Sequence, residues 1–114
     1  MELKVERHPG DDLPVVAVAC EVDVHSAPQL REGLIAELQS ATTAVVVDLT
    51  DVGFLDSTGL GALVVVGTAA GEMGAALPLV CTSDRIMKLF TITGLYGVFD
   101  IYPDLDAAIA AAKA

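Results

Sequence analysis

The chain is short of bases, cysteine, histidine and indole, and each shortage closes off a class of function. Six Lys and Arg stand against 16 Asp and Glu, for a formal charge of −10 and a pI near 4.2. No nucleic acid partner is expected, because phosphate binding needs a basic surface. Two cysteines, Cys20 and Cys81, are too few for a disulfide framework and are expected to be buried, inert, reduced thiols. His8 and His25 have no Cys or His at ligand spacing, so no metal site is expected. Tryptophan is absent, and the longest apolar stretch, around Leu60 to Val66, is too short for a bilayer and interrupted by Gly61 and Gly67. The opening MELKVERHPG has no apolar signal core, which leads us to expect a cytoplasmic protein with no membrane partner.

Catalytic and cofactor motifs are missing as well. There is no Gly-Lys-Ser/Thr phosphate cradle, and GLGALV lacks the third glycine of a dinucleotide fingerprint. A nucleophile elbow needs glycine two residues before the serine, where this chain has Leu55 before Ser57. No cofactor and no enzymatic activity are expected.

What is present is a chain of 114 residues, 54% of them hydrophobic and many of those Val, Leu and Ala. That composition excludes disorder and suits one α/β domain spanning residues 1–114. Leu3–Val5 and Pro14–Cys20, on either side of HPGDD, read as an antiparallel strand pair. Ser26, with Pro28 and Gln29 after it, reads as the cap of a helix running to about Gln39 with Leu30, Leu34 and Leu38 inward and Arg31 and Glu37 outward. Ala44–Leu49 is a second buried strand, ended by the turn-rich TDVG. The next helix starts at Ser57, with Leu60, Leu63, Val64 and Ala70 on one side. Its glycines at 59, 61, 67 and 71 call for close approach to a sheet or a partner. Leu77–Thr82 is a strand, Ser83 caps a helix with Ile86, Leu89 and Phe90 that stops at Gly94, Val98–Tyr102 is a short strand, and Asp104 caps a last helix.

The expected fold is therefore a mixed, mostly parallel sheet of four to five strands with about four helices. If the strands lie in sequence order, right-handed crossovers put the first two crossover helices on one face and leave the other less covered. Cys20 and Cys81 then sit two strand spacings apart, about 9.5 Å. A disulfide needs Cα atoms within about 7 Å, so no bridge is expected.

Sites in open α/β sheets form in loops after the carboxyl ends of the parallel strands. Three such loops, Cys20–His25, the one bearing Ser57, and Thr82–Asp84, are expected to converge and to bring Asp23, Asp56 and Asp84 together. In FLDSTGL, Asp56 or Ser57 serves as a helix cap in the plainest reading, a role worth about 1 kcal/mol. A phosphoserine at a helix N-terminus is equally acceptable, since free N–H groups and the helix dipole favour an anion there. The residues themselves leave these two readings level.

FLDSTGLGAL after VVVDL resembles the phosphorylation segment of STAS domains, specifically the bacterial anti-anti-sigma factors (anti-sigma factor antagonists). EVD followed by APQLRE, and FTITGLYGVFDIYPDLDAAIA near the C-terminus, resemble further segments of that family, so the likeness runs from about Val15 to Ala112. It implies that Ser57 is a phosphate acceptor and that Asp23, Asp56, Ser57, Thr58, Gly59, Leu60 and Gly61 form a partner-binding segment. It further implies that the unphosphorylated form binds an anti-sigma factor that is also a serine kinase carrying ATP, thereby freeing a sigma factor. Phosphorylation ends that binding, and a metal-dependent PP2C-type phosphatase reverses it. Asp23 is expected to serve this site more than the fold, so that its loss leaves stability nearly unchanged. Cys20 departs from the family, which usually has glycine there, so the turn need not keep the same backbone geometry. The alternative role is a non-phosphorylated STAS adaptor in a transport or stress-signalling complex, with Ser57 as a cap.

Overall fold

A computed structural model describes residues 1–8, 13–40, 43–95 and 97–113. The expected HPGDD turn falls at 9–12, outside the described residues. The elements are β1 (Glu2–His8), β2 (Leu13–Val22), α1 (Ala27–Ser40), β3 (Val46–Leu55), α2 (Ser57–Glu72), β4 (Leu79–Val80), α3 (Asp84–Ile92), β5 (Ile101–Tyr102) and α4 (Leu105–Lys113). They build one five-stranded sheet in the order β1-β2-β3-β4-β5. β1 runs antiparallel to β2, and the other neighbours are parallel.

Strand alternation divides the apolar residues between two faces. Val16, Val18 and Val22 of β2 join Val47 and Leu49 of β3 under Leu30, Leu34 and Leu38 of α1 and Leu60, Leu63 and Val66 of α2. Ile86 and Phe90 of α3 belong to the same cluster, and Phe90 meets Phe99 edge to face with ring centroids 5.6 Å apart. Leu13, Val15, Val46 and Val80 point the other way and are covered by Ala108 and Ile109 of α4. That last helix, begun by Asp104 accepting from the Ala107 N–H at 2.7 Å, supplies the cover that sequence-order strands leave missing on the second face.

Three strands differ most from expectation in their extent. Thr50–Gly53 continues β3 instead of ending it. Asp48 Oδ1 accepts from both the N–H and the hydroxyl of Thr50, and the pairing with β2 slips between Ala17 and Ala19 and again between Cys20 and Glu21. The turn residues of TDVG are thus absorbed as bulges. β4 pairs only at Leu79 and Val80. Val98 is exposed in a turn, its N–H donating to Leu95 O at 3.0 Å, so β5 begins only at Ile101.

Cys20 and Cys81 are free, with β3 between β2, which carries Cys20, and β4, which Cys81 follows. Cys81 is buried, and that burial raises its thiol pKa. Cys20 is exposed, contrary to expectation, and its φ of 75° is the left-handed value that glycine adopts at no cost. A bulge lies beside it, and the backbone there takes a conformation suited to glycine.

Candidate functional site

β2 and β3 end side by side, with Val22 paired to Leu55, and the Asp56 N–H donates to Val22 O at 3.2 Å. The loops that follow, one opening α1 and the other α2, are tied together at their roots. The third loop opens α3, whose Arg85 and Ile86 line a groove with Phe54 and Leu55 at the end of β3. β4 pairs with β3 no further than Asp48, well short of Leu55, and Asp84 lies exposed in the first turn of α3.

Asp56, not Ser57, caps α2: its backbone is extended and its Oδ1 accepts from the Gly59 N–H at 2.9 Å. Ser57 is the first helical residue, exposed, and its hydroxyl has no hydrogen-bond partner among the described residues. Thr58 and Gly61 are exposed beside it, whereas Gly59 and Leu60 are buried. A Cβ on Gly59 would lie 2.6 Å from Leu55 Cδ1, 2.7 Å from Val22 Cγ1 and 3.2 Å from Val22 O. The expected contact segment therefore splits. Asp56, Ser57, Thr58 and Gly61 reach the surface, while Gly59 and Leu60 seat the helix on the sheet and so hold the others in place.

Asp23 is occupied within its own loop. Its Oδ1 accepts from the His25 N–H at 2.9 Å, the Ser26 N–H at 3.1 Å and the Ser26 hydroxyl at 3.3 Å. The Ser26 hydroxyl oxygen in turn accepts from the Asp23 N–H at 3.0 Å, so Ser26 faces back into the loop rather than capping α1 as expected. The Ser26 N–H, foremost, lowers the Asp23 carboxyl from its ordinary 3.8; desolvation, next in size, opposes it, and the His25 N–H and the Ser26 hydroxyl add to the lowering. A lowered native pKa contributes stability that is present above 3.8 and lost as the pH falls through the native value. Asp23 thus shapes the loop that adjoins the Ser57 turn, a local structural part that stands beside the role expected of it at the site.

Two apolar grooves flank Ser57. One, of about 520 Å³, runs between α1 and α2 and is lined by Val24, Pro28, Arg31, Thr58, Gly61 and Val65. The other lies between the end of β3 and α3 and includes Phe54, Arg85 and Ile92. Sequence reading missed these walls. The available signal was Val24 and Phe54, bulky apolar residues beside loops where polar ones are the rule.

The Ser57 and Thr58 N–H groups, which the Asp56 carboxylate leaves uncapped, together with a free hydroxyl make a place that can take an anion. Among the described residues no cluster of His, Cys, Asp and Glu is arranged to hold a metal, and no helix is long and apolar enough to cross a membrane.

Fold and sequence define one class. Residues 2–108 match the STAS domain model, and the chain belongs to the STAS-domain family. It is 40% identical over 95 residues to an anti-sigma-B factor antagonist of Staphylococcus epidermidis, covering 83% of this chain and 88% of that one. With the anti-sigma-B factor antagonist of Bacillus subtilis it shares 38% identity over 101 residues, 89% of this chain and 92% of the relative. The crystal structure of an anti-sigma factor antagonist from Mycobacterium paratuberculosis superposes with a TM-score of 0.88 at 32% identity, covering 99% of this chain and 94% of that one.

Proposed function

We propose that the protein is an anti-sigma factor antagonist, a binding switch and not a catalyst, whose unphosphorylated form takes up an anti-sigma factor and so frees a sigma factor in the cytoplasm. The anti-sigma factor is a serine kinase that carries the ATP, Ser57 is its substrate, and a PP2C-type phosphatase resets the chain. The observation that supports this most is the division of labour at the start of α2: Asp56 does the capping and leaves the Ser57 hydroxyl exposed and without a partner. Asp56, Ser57, Thr58 and Gly61 meet the partner directly. Gly59 and Leu60 support them from below, and Asp23 holds the neighbouring loop in shape.

The test is incubation with the anti-sigma factor kinase and ATP, followed by intact mass and peptide mapping. One phosphate on Ser57 is expected, and none on Ser57→Ala. Ser57→Ala should bind the kinase as tightly as the unmodified chain, and Ser57→Asp should not bind. Equal affinity for the two variants rules out the switch and leaves an adaptor role.

A further inference from the structure

We propose that the groove between the end of β3 and α3 seats an acidic, amphipathic helix of the anti-sigma partner. This rests on the reading of Ser57 above and adds a second contact to the same complex. The groove has a volume of about 190 Å³. Strand alternation sends Leu55 into the core and turns Phe54 out, 44% exposed, just before the Ser57 turn. On α3, Ile86 and Phe90 are buried, which leaves Arg85, Lys88, Leu89 and Ile92 along one continuous outer stripe at helical spacing. Ile92 is 72% exposed, an isoleucine placed where a solvated helix face needs a polar residue.

Charge identifies the occupant. The chain carries 16 carboxylate side chains and only six Lys and Arg, yet the groove is lined by two of those six and by no carboxylate. Neither Arg85 nor Lys88 has an ion-pair partner among the described residues. An apolar floor between two free cations fits a helix with a pair of apolar anchors one turn apart and Asp or Glu beside them. A basic segment is repelled locally. A single acidic helix meets mainly the two cations of the groove, because charges beyond about 10 Å are screened, whereas an anionic membrane faces the charge of the whole molecule, −10.

The test has two arms. In the first, the isotope-labelled chain is titrated with a synthetic helical peptide of about 15 residues that carries a leucine pair between glutamates, and with its lysine counterpart. The glutamate peptide should shift the amides of Phe54, Leu89 and Ile92, and the lysine peptide should leave them in place. In the second, the anti-sigma factor kinase is measured against the unmodified chain, Arg85→Glu/Lys88→Glu and Ile92→Ser, with melting curves to confirm folding. The charge reversal should weaken binding about tenfold or more and Ile92→Ser several-fold, as expected for anchors near an interface centre. Wild-type affinity in the charge-reversed form, no response to the glutamate peptide, or binding of the groove to phosphatidylserine vesicles instead would overturn the proposal. The two readings fail differently: if Ser57→Asp abolishes the complex while the charge reversal does not weaken it, the groove alone is wrong. If Ser57→Asp binds normally, the switch is wrong.

Discussion

At the scale of single residues, the structure separates two side chains that the sequence leaves interchangeable. Asp56 and Ser57 are both good caps by type, and a shift of one position in the helix start exchanges their roles. The Asp56 carboxylate on the Gly59 N–H settles which one does the work. Asp56→Ala should therefore cost about 1 kcal/mol of stability, while Ser57→Ala costs only a few tenths. Urea melts of the two variants measure this, and a larger loss for Ser57→Ala would restore the serine as the cap. Cys20 allows a prediction of the opposite sign. A left-handed backbone costs a residue with a Cβ about 1–2 kcal/mol, and part of that is offset because glycine has more freedom to lose on folding. Cys20→Gly should stabilise the chain by about 0.5–1 kcal/mol, read as a rise in the urea midpoint at constant slope.

At the scale of elements, what could be read from the sequence was whatever a period or a cap announces. The Leu30, Leu34, Leu38 stripe marks α1, the Val-rich runs mark β2 and the first half of β3, and Ser83 and Asp104 mark the starts of α3 and α4. Bulges were not legible, because Thr50–Gly53 has the composition of a turn and is strand only through its pairing with β2. Nor could sequence sort the glycines of α2, which serve opposite purposes. Gly59 lies against Leu55 and Val22, whereas a Cβ on Gly61 would meet nothing within 4 Å. Gly59→Ala forces the helix away from backbone and side chain alike and should destabilise by about 1–3 kcal/mol. Gly61→Ala should gain up to about 1 kcal/mol from helix propensity, yet weaken partner binding by filling part of the groove between α1 and α2. Thermal melts together with partner affinity test the pair. A stabilising Gly59→Ala would show that the helix is not pinned to the sheet there.

At the scale of the whole molecule, the question is whether the phosphate proposed for Ser57 would act by changing the fold or by changing what the surface accepts. The anion adds about −1.5 to −2 charges to a chain already at −10. Against that, the start of α2 offers a dipole worth about 0.3–1 kcal/mol. Exposed charges interact weakly, by about 0–1 kcal/mol, and Ser57 is exposed at a helix end whose packing lies beneath it in Gly59 and Leu60. These terms nearly cancel in the free protein. In a complex the same phosphate must lose its water beside Asp56, at a penalty of about several kcal/mol when poorly compensated. Every 1.4 kcal/mol or so is a factor of ten in affinity. The phosphorylated chain should therefore melt within about 5 °C of the unmodified one and keep its amide spectrum everywhere except near Val22–Ser26 and Asp56–Gly61. Its affinity for the anti-sigma partner should fall by about a hundredfold or more. Spectral changes spread through β4, β5 and α4 would show instead that the phosphate works through the fold.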